Sequence, residues 1–349
     1  MVGKIQNERY IYIDFLKVVV IFAVVLAHVS ISLAAWEKTG QHFELFTYIN
    51  STTRFNVPLF ILCSGAMILR KPVDDIREFY GKRFSRVVIP FLFWSIFYKL
   101  NIIIHDKLEF SFLDILHDLF YQNVVYHFWF IYMILAVYLF VPLLSDALTK
   151  FNQTKLNYLM GLWLFLSCIV SIECIFCEGD SIKFWLAEYI GYFVAGWLIH
   201  NHKIKLIKLN GYVTFLICVA ITVILTKLVI MYKTDYGIYH EAVFEPYFIL
   251  VVIGSLLIFR YLRDKEDFFR RHEKVGKFFS KVSALTYGGY LVHPLILEFL
   301  KGKFLLHNGV YYLSTFPITT IIIFSAVVGI ISFLIIAVFH NLPYLRRLV

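Results

Sequence analysis

Tyr10–Leu33 reads YIYIDFLKVVVIFAVVLAHVSISL, an unbroken run of 24 residues. A helix needs about 20 residues to cross a hydrocarbon core, so this run is long enough to span one. It is not shaped like a removable leader. It is too long, ends in no small-residue cleavage site, and carries Asp14, Lys17 and His28 within it.

The rest of the chain follows the same pattern. Of 349 residues, 60% are hydrophobic and 16% charged, and mean hydropathy is +0.74. A soluble domain is about half apolar and a quarter charged. The 36 Phe and 23 Tyr gather at the edges of the apolar runs, where aromatic rings suit the headgroup level. Ten segments emerge: 10–33, 46–69, 87–104, 128–148, 156–176, 184–200, 211–231, 246–262, 283–300 and 315–339. The expectation is an all-α, polytopic integral membrane bundle of about ten transmembrane helices. It forms a single domain over 1–349, with no appended soluble domain. The sixth and ninth segments are short or contain Gly and Pro. Backbone breaks at membrane depth are tolerated only where protein or a wet cavity satisfies the freed groups, so these segments should face protein.

Lys and Arg set the orientation. Cations crowd the N-terminus (Lys4, Arg9) and the gap after the second segment (Arg70, Lys71, Arg77, Lys82, Arg83, Arg86). They recur after the sixth (Lys203, Lys205, Lys208), after the eighth (from Arg260 to Lys281) and at the C-terminus (Arg346, Arg347). The alternate gaps hold only Lys38, Lys107, Lys183, Lys233, Lys301 and Lys303. The basic gaps are cytoplasmic by the positive-inside rule, which gives N-in and C-in. Topology thus accounts for the net charge of +9, and no basic stripe with a soluble aromatic platform points to nucleic acid. Cys63, Cys168 and Cys218 lie in apolar runs and read as small core residues. Cys174 and Cys177 have no second pair to complete a metal site.

Ionisable groups inside a span are costly and mark function by default. From Lys17 to His28 is eleven residues, which on a helix returns to within about 20° of the same face while rising about 16 Å. Asp14 lies about 60° from Lys17 on that side. One polar stripe must therefore face the bundle interior or a water-filled passage, with Lys17 and His28 too far apart to touch. Imidazole has an ordinary pKa near 6.5, so His28 is the candidate for proton transfer; a helix-packing histidine is the plainer alternative. Lys17 reads equally as a snorkelling anchor, and Asp14 as its partner one turn away.

A second constellation follows. Ser64-Gly65 removes bulk within a span and permits close backbone approach. Arg83 and Arg86, three apart at a basic boundary, offer guanidinium forks suited to phosphate. They read equally as topology anchors.

Taken in order, these features resemble the acyltransferase type 3 family of membrane acyltransferases. That family shows an arginine, ten residues and a histidine in its first helix. A Ser-Gly second helix follows, then an Arg-x-x-Arg pair before a proline-bearing third helix. Lys17 and His28, Ser64-Gly65, and Arg83-Phe84-Ser85-Arg86 ahead of Pro90 fall in that order. His127-Phe128-Trp129-Phe130 is similar to the family's His-x-Trp-Phe stretch. The stretches Gly191–Gly196 and Tyr287–Pro294 resemble further family patterns. The resemblance covers about residues 8–340. Position 17 departs from it: lysine keeps the charge but loses the planar fork.

The resemblance implies a transferase that uses acetyl-CoA, with no metal, in a bacterial plasma membrane. Its acceptor would be a hydroxyl of a surface polysaccharide or lipid-linked glycan, served by polysaccharide-synthesis partner proteins. Arg83, Arg86 and Ser64 would hold the donor. His28, Lys17 and Asp14 would be catalytic, with His28 as general base, while His127, Trp129 and His293 would contact the acceptor. Direct transfer and an acyl-histidine both stay open. His127, Glu173, Glu188, Glu245, His293 and Glu298 are the candidates to orient His28 or polarise the carbonyl. A proton-coupled transporter is the rival expectation, since the Asp14–Lys17 pair and His293 fit a carrier too. A noncatalytic subunit of a glycan-synthesis complex is the third.

Overall fold

The computed structural model describes residues 9–36, 43–106, 111, 113, 117–119, 124–176, 185–204, 209–232, 245–304 and 310–349. Every regular element among the described residues is helical. In chain order they are α1 (Ile11–Trp36), α2 (Phe43–Ser51), α3 (Asn56–Ile68), α4 (Ile76–Arg83), α5 (Ile89–Asp106), α6 (Trp129–Lys150), α7 (Gln153–Phe176) and α8 (Trp185–His200). Then come α9 (Gly211–Tyr232), α10 (Ile249–Arg263), α11 (Glu266–Arg271), α12 (Glu273–Ser283), α13 (Thr286–Phe304), α14 (Val310–Thr315) and α15 (Pro317–Asn341).

Among the described residues, six stretches are long and apolar enough to cross a membrane: Ile11–Leu33, Ile76–His105, Tyr126–Lys150, Gln153–Glu173, Gly211–Met231 and Pro317–Asn341. The other four expected segments are shorter or more polar helices. The helices α3, α8 and α10 have 13, 16 and 15 residues. The 19 residues of α13 include Glu298, Lys301 and Lys303. A further difference lies at 46–69, expected as one segment but broken between α2 and α3 at residues 52–55. The side chains explain why the break is stable. Ser51, Thr52 and Thr53 each donate a hydroxyl at 2.7 Å to a carbonyl of the last turn of α2. The same carbonyls also accept the backbone N–H groups of Thr52 and Thr53, so the hydroxyls add a second bond to each at the helix end.

The most enclosed of the six is α1, with 61% of its apolar window buried against 22–44% in the others. Around it pack α2, α3, α12, α13 and α15. Its N-terminus is clamped from a distant part of the chain. The Glu266 carboxylate accepts the backbone N–H of Ile11 at 3.1 Å and of Tyr12 at 2.9 Å, capping donors that the helix leaves orphaned and complementing its dipole.

The Ser-Gly pair does what small residues do between helices. A Cβ on Gly65 would sit 1.7 Å from the Phe193 carbonyl oxygen, and one on Gly196 would sit 2.1 Å from that of Leu62. Thus α3 and α8 cross backbone to backbone through reciprocal glycines. Cys63 and Cys218 are buried as expected; Cys168 instead faces out of the bundle. Cys177 lies outside the described residues.

Candidate active site

Three histidines from three helical elements meet in the half of the bundle that holds the C-terminal part of α1. His28 comes from α1, His293 from α13, and His127 from a short 3-10 turn, Tyr126–Phe128, that leads into α6. His293 and His127 are fully buried. His28 Nδ1 lies 2.6 Å from His293 Nε2. Their ring planes differ by 4° and the centroids are 4.9 Å apart, far more than the nitrogen pair. The rings therefore meet edge to edge in nearly one plane.

A protonation pattern follows from the far end of this chain. His293 Nδ1 lies 2.8 Å from the Tyr290 carbonyl oxygen. A carbonyl only accepts, so Nδ1 carries the proton. In neutral imidazole the other nitrogen is then an acceptor. His293 Nε2 therefore accepts, His28 Nδ1 donates, and the His28 lone pair is left on Nε2. A backbone carbonyl one turn away thus fixes which nitrogen of His28 can act as a base.

His28 borders a cavity of about 190 Å³ whose wall also includes Arg54, Asn56, Tyr126, His127, Trp129 and Tyr290, while His293 lies behind it and does not line the wall. The Tyr126 ring stands edge-on to His28 at 5.1 Å and 89°. The Tyr290 hydroxyl donates to the His127 backbone carbonyl. One face of α13 therefore positions both His127 and His293. No glutamate lines this cavity among the described residues. Glu298 pairs with Lys301 at 2.7 Å. Glu188 is buried away from the cavity wall.

A second set lies toward the other end of α1. Lys17 is half-buried, and Cys63, next in sequence to Ser64, is fully buried. The Ser64 hydroxyl donates to the Phe60 carbonyl at 2.9 Å and lies within hydrogen-bonding reach of Tyr138. The Arg83 guanidinium rests over the Phe79 ring at 5.3 Å and the Tyr138 ring at 5.6 Å. Its Nε is buried, with no hydrogen-bond partner among the described residues. Ser64 and Arg83 are thus joined through Tyr138. Arg86 is exposed. A π turn over Phe84–Val88 intervenes, widening the helix ahead of Pro90, and the Tyr287 hydroxyl donates to the Val87 carbonyl at 2.8 Å. The widened turn separates the environments of two arginines that plain helical spacing puts on one face.

Asp14 does not pair with Lys17. Its carboxylate accepts Ser283 Oγ at 2.6 Å, Ser280 Oγ at 2.9 Å and Arg9 Nε at 2.6 Å. Those partners come from α12 and the chain ahead of α1, so the acid fastens the N-terminal end of α1.

Arg54, Asn56, Tyr126 and Tyr290 are not among the site residues expected from the sequence, although Asn56 and Tyr290 lie within the stretches that carry the family resemblance. Arg54 carried a usable signal, since it is an ionisable residue inside the apolar run 46–69, the criterion that singled out His28. The pairing of His28 with His293, 265 positions apart, carried none.

The Acyltransferase domain family model matches residues 10–337. This chain belongs to the acyltransferase type 3 family. A curated relative, nodulation protein NolL of Sinorhizobium fredii (strain NBRC 101917 / NGR234), is 31% identical over 152 residues, covering 40% of this chain. The match spans 37% of that relative's length. No solved structure matches. The family is membrane-bound, in keeping with the six stretches among the described residues that are long and apolar enough to cross a membrane.

Proposed function

We propose that this protein is a membrane O-acetyltransferase that moves an acetyl group from cytoplasmic acetyl-CoA to a hydroxyl of a surface polysaccharide or lipid-linked glycan. It acts as a single domain in a bacterial plasma membrane, alongside proteins of glycan synthesis. The four shorter helical segments complete ten spans with both ends in the cytoplasm, following the cation pattern of the gaps. The donor enters from the basic side. Arg83, whose buried Nε awaits an acceptor, and Arg86 at the exposed boundary hold its phosphates, with Lys17 and Ser64 along the path of the pantetheine arm. Asp14 belongs to this assembly as the fastener of α1.

The observation that carries the proposal is the hydrogen-bonded series from Tyr290 carbonyl to His293 to His28. It leaves a directed lone pair on His28 Nε2 at a cavity wall, as a general base requires. His28 takes the proton of the acceptor hydroxyl as its oxygen bonds to the thioester carbonyl carbon. The C–S bond then breaks and the thiolate takes the proton back. Trp129, at the same cavity, offers an apolar face to a sugar ring. The chemistry uses no metal.

The test is full-length protein in lipid nanodiscs with acetyl-CoA and glycan isolated from the source membrane, followed by CoA thiol release. His28→Ala is expected to abolish release while the protein still inserts and elutes as one species. Full activity in that variant overturns the proposal, as does solute flux in liposomes without acyl transfer.

A further inference from the structure

Besides the His28 lone pair, the cavity wall gathers several side chains that can donate a hydrogen bond. His127 is 1% exposed, lines the wall, and neither ring nitrogen has a hydrogen-bond partner among the described residues. A buried polar ring without a partner is costly, and a further hydrogen bond, from Tyr290, holds that turn in place. Asn56 lines the same wall, and its carboxamide oxygen already accepts the Val57 N–H at 2.5 Å. What it can present to the cavity is its N–H2 group. Arg54 is the third, a permanent cation held in the wall by the break between α2 and α3, within electrostatic reach of His28.

Attack on a thioester requires this combination. As the acceptor oxygen bonds to carbon, the carbonyl pair moves onto oxygen and a full negative charge develops there. Donors already in place in a water-poor site stabilise that charge most effectively. We infer that Arg54, Asn56 and His127 form the oxyanion-binding wall of this site. The inference rests on the acyl-transfer reading above. The oxyanion accepts from the three side chains, then collapses as the C–S bond breaks, and the thiolate takes its proton from His28. In this role His127 works neutral and as a donor, so its function is distinct from that of His28.

The experiment uses full-length protein in nanodiscs with acetyl-CoA carrying a 13C-labelled carbonyl. Infrared difference spectra read the carbonyl stretch of the bound donor before turnover, and thiol release reads slow hydrolysis with water as acceptor. Bound donor is expected to absorb at lower wavenumber than free donor, because the three donors polarise the carbonyl. His127→Ala should move the band back toward the free position and cut kcat by about 10²–10³-fold, the usual cost of one oxyanion donor, with donor KM little changed. His127→Gln, which keeps an N–H donor and most of the volume, should recover part of both. Arg54→Lys should do likewise relative to Arg54→Gln. An unshifted band in the parent protein overturns the inference. So does a band that stays shifted in both His127→Ala and Arg54→Gln, or a loss residing in KM alone. His28→Ala separates this from the underlying reading: it should keep the shifted band and lose thiol release. If His28→Ala keeps thiol release, the general-base reading fails, while the band still decides the role of the wall.

Discussion

Replacing His293 tests the relay most directly. His293 does not line the cavity: its Nδ1 is committed to the Tyr290 carbonyl and its Nε2 to His28. It is a positioning residue, and its value lies in the tautomer and angle it imposes on His28. In His293→Ala the His28 Nδ1–H loses its acceptor. A net hydrogen bond contributes about 0.5–1.5 kcal/mol, worth roughly a two- to twelve-fold bias toward the useful tautomer. Loss of ring orientation adds to that. The expected fall in kcat is therefore about 10–100-fold, smaller than the 10²–10⁴-fold that a general base itself supplies. His293→Gln offers a carbonyl oxygen that can take the His28 proton, and should lie between His293→Ala and the parent. The assay is thiol release at saturating acetyl-CoA across pH, with thermal unfolding as the control for the fully buried site. In the parent, rate should fall as pH drops, because protonation removes the His28 Nε2 lone pair. In His293→Ala the plateau should fall while donor KM stays put. A plateau within threefold of the parent would refute the relay, as would a glutamine variant no better than alanine when both are equally folded.

Three further outcomes follow from the same geometry. Arg83→Gln should raise KM for acetyl-CoA by about 10–100-fold, the worth of one charged hydrogen bond, with kcat nearly unchanged; isothermal titration with CoA checks the binding term. Gly65→Ala or Gly196→Ala should prevent α3 and α8 from closing, because the new Cβ meets a backbone carbonyl that cannot move aside, and the yield of monodisperse protein should collapse in either. Asp14→Ala should destabilise by about 3 kcal/mol by removing the charged acceptor of three donors, read as a lowered unfolding temperature, and kcat per folded molecule should fall as well, because this clamp sets the height at which α1 presents His28.

How much was legible in the sequence depended on whether the signal was local. Hydropathy alone marked α1, α6, α7, α9 and α15, because a long apolar helix is written in consecutive residues. The break inside 46–69 was not legible: Ser51, Thr52 and Thr53 look like ordinary polar residues in an apolar run until their hydroxyls are seen closing the end of α2. The Asp14–Lys17 pair was a sound local inference that lost to long-range partners, since Ser280 and Ser283 offer two hydroxyls that helical spacing cannot foresee. His28 and His127 were each visible as histidines in apolar surroundings. Their convergence with His293 was not, because it depends on how α13 lies along α1.

That arrangement unites the two ends of the site. Asp14 is held by Ser283 and His28 by His293, so later residues of α1 meet later residues of the 283–293 stretch and the two run parallel. One short stretch of chain therefore grips α1 at two heights. The grips are fourteen residues apart on α1, about 21 Å along its axis. A helix is stiff over that length, so its N-terminal clamp, reinforced by Glu266, sets the height and rotation at which His28 presents its nitrogen. Hydrogen bonding to His293 tolerates only a few tenths of an ångström. Asp14, Glu266 and Ser283 thus act on the reaction at a distance: they hold α1 in the one register in which a base, its orienting histidine and a wall of donors face the same small cavity.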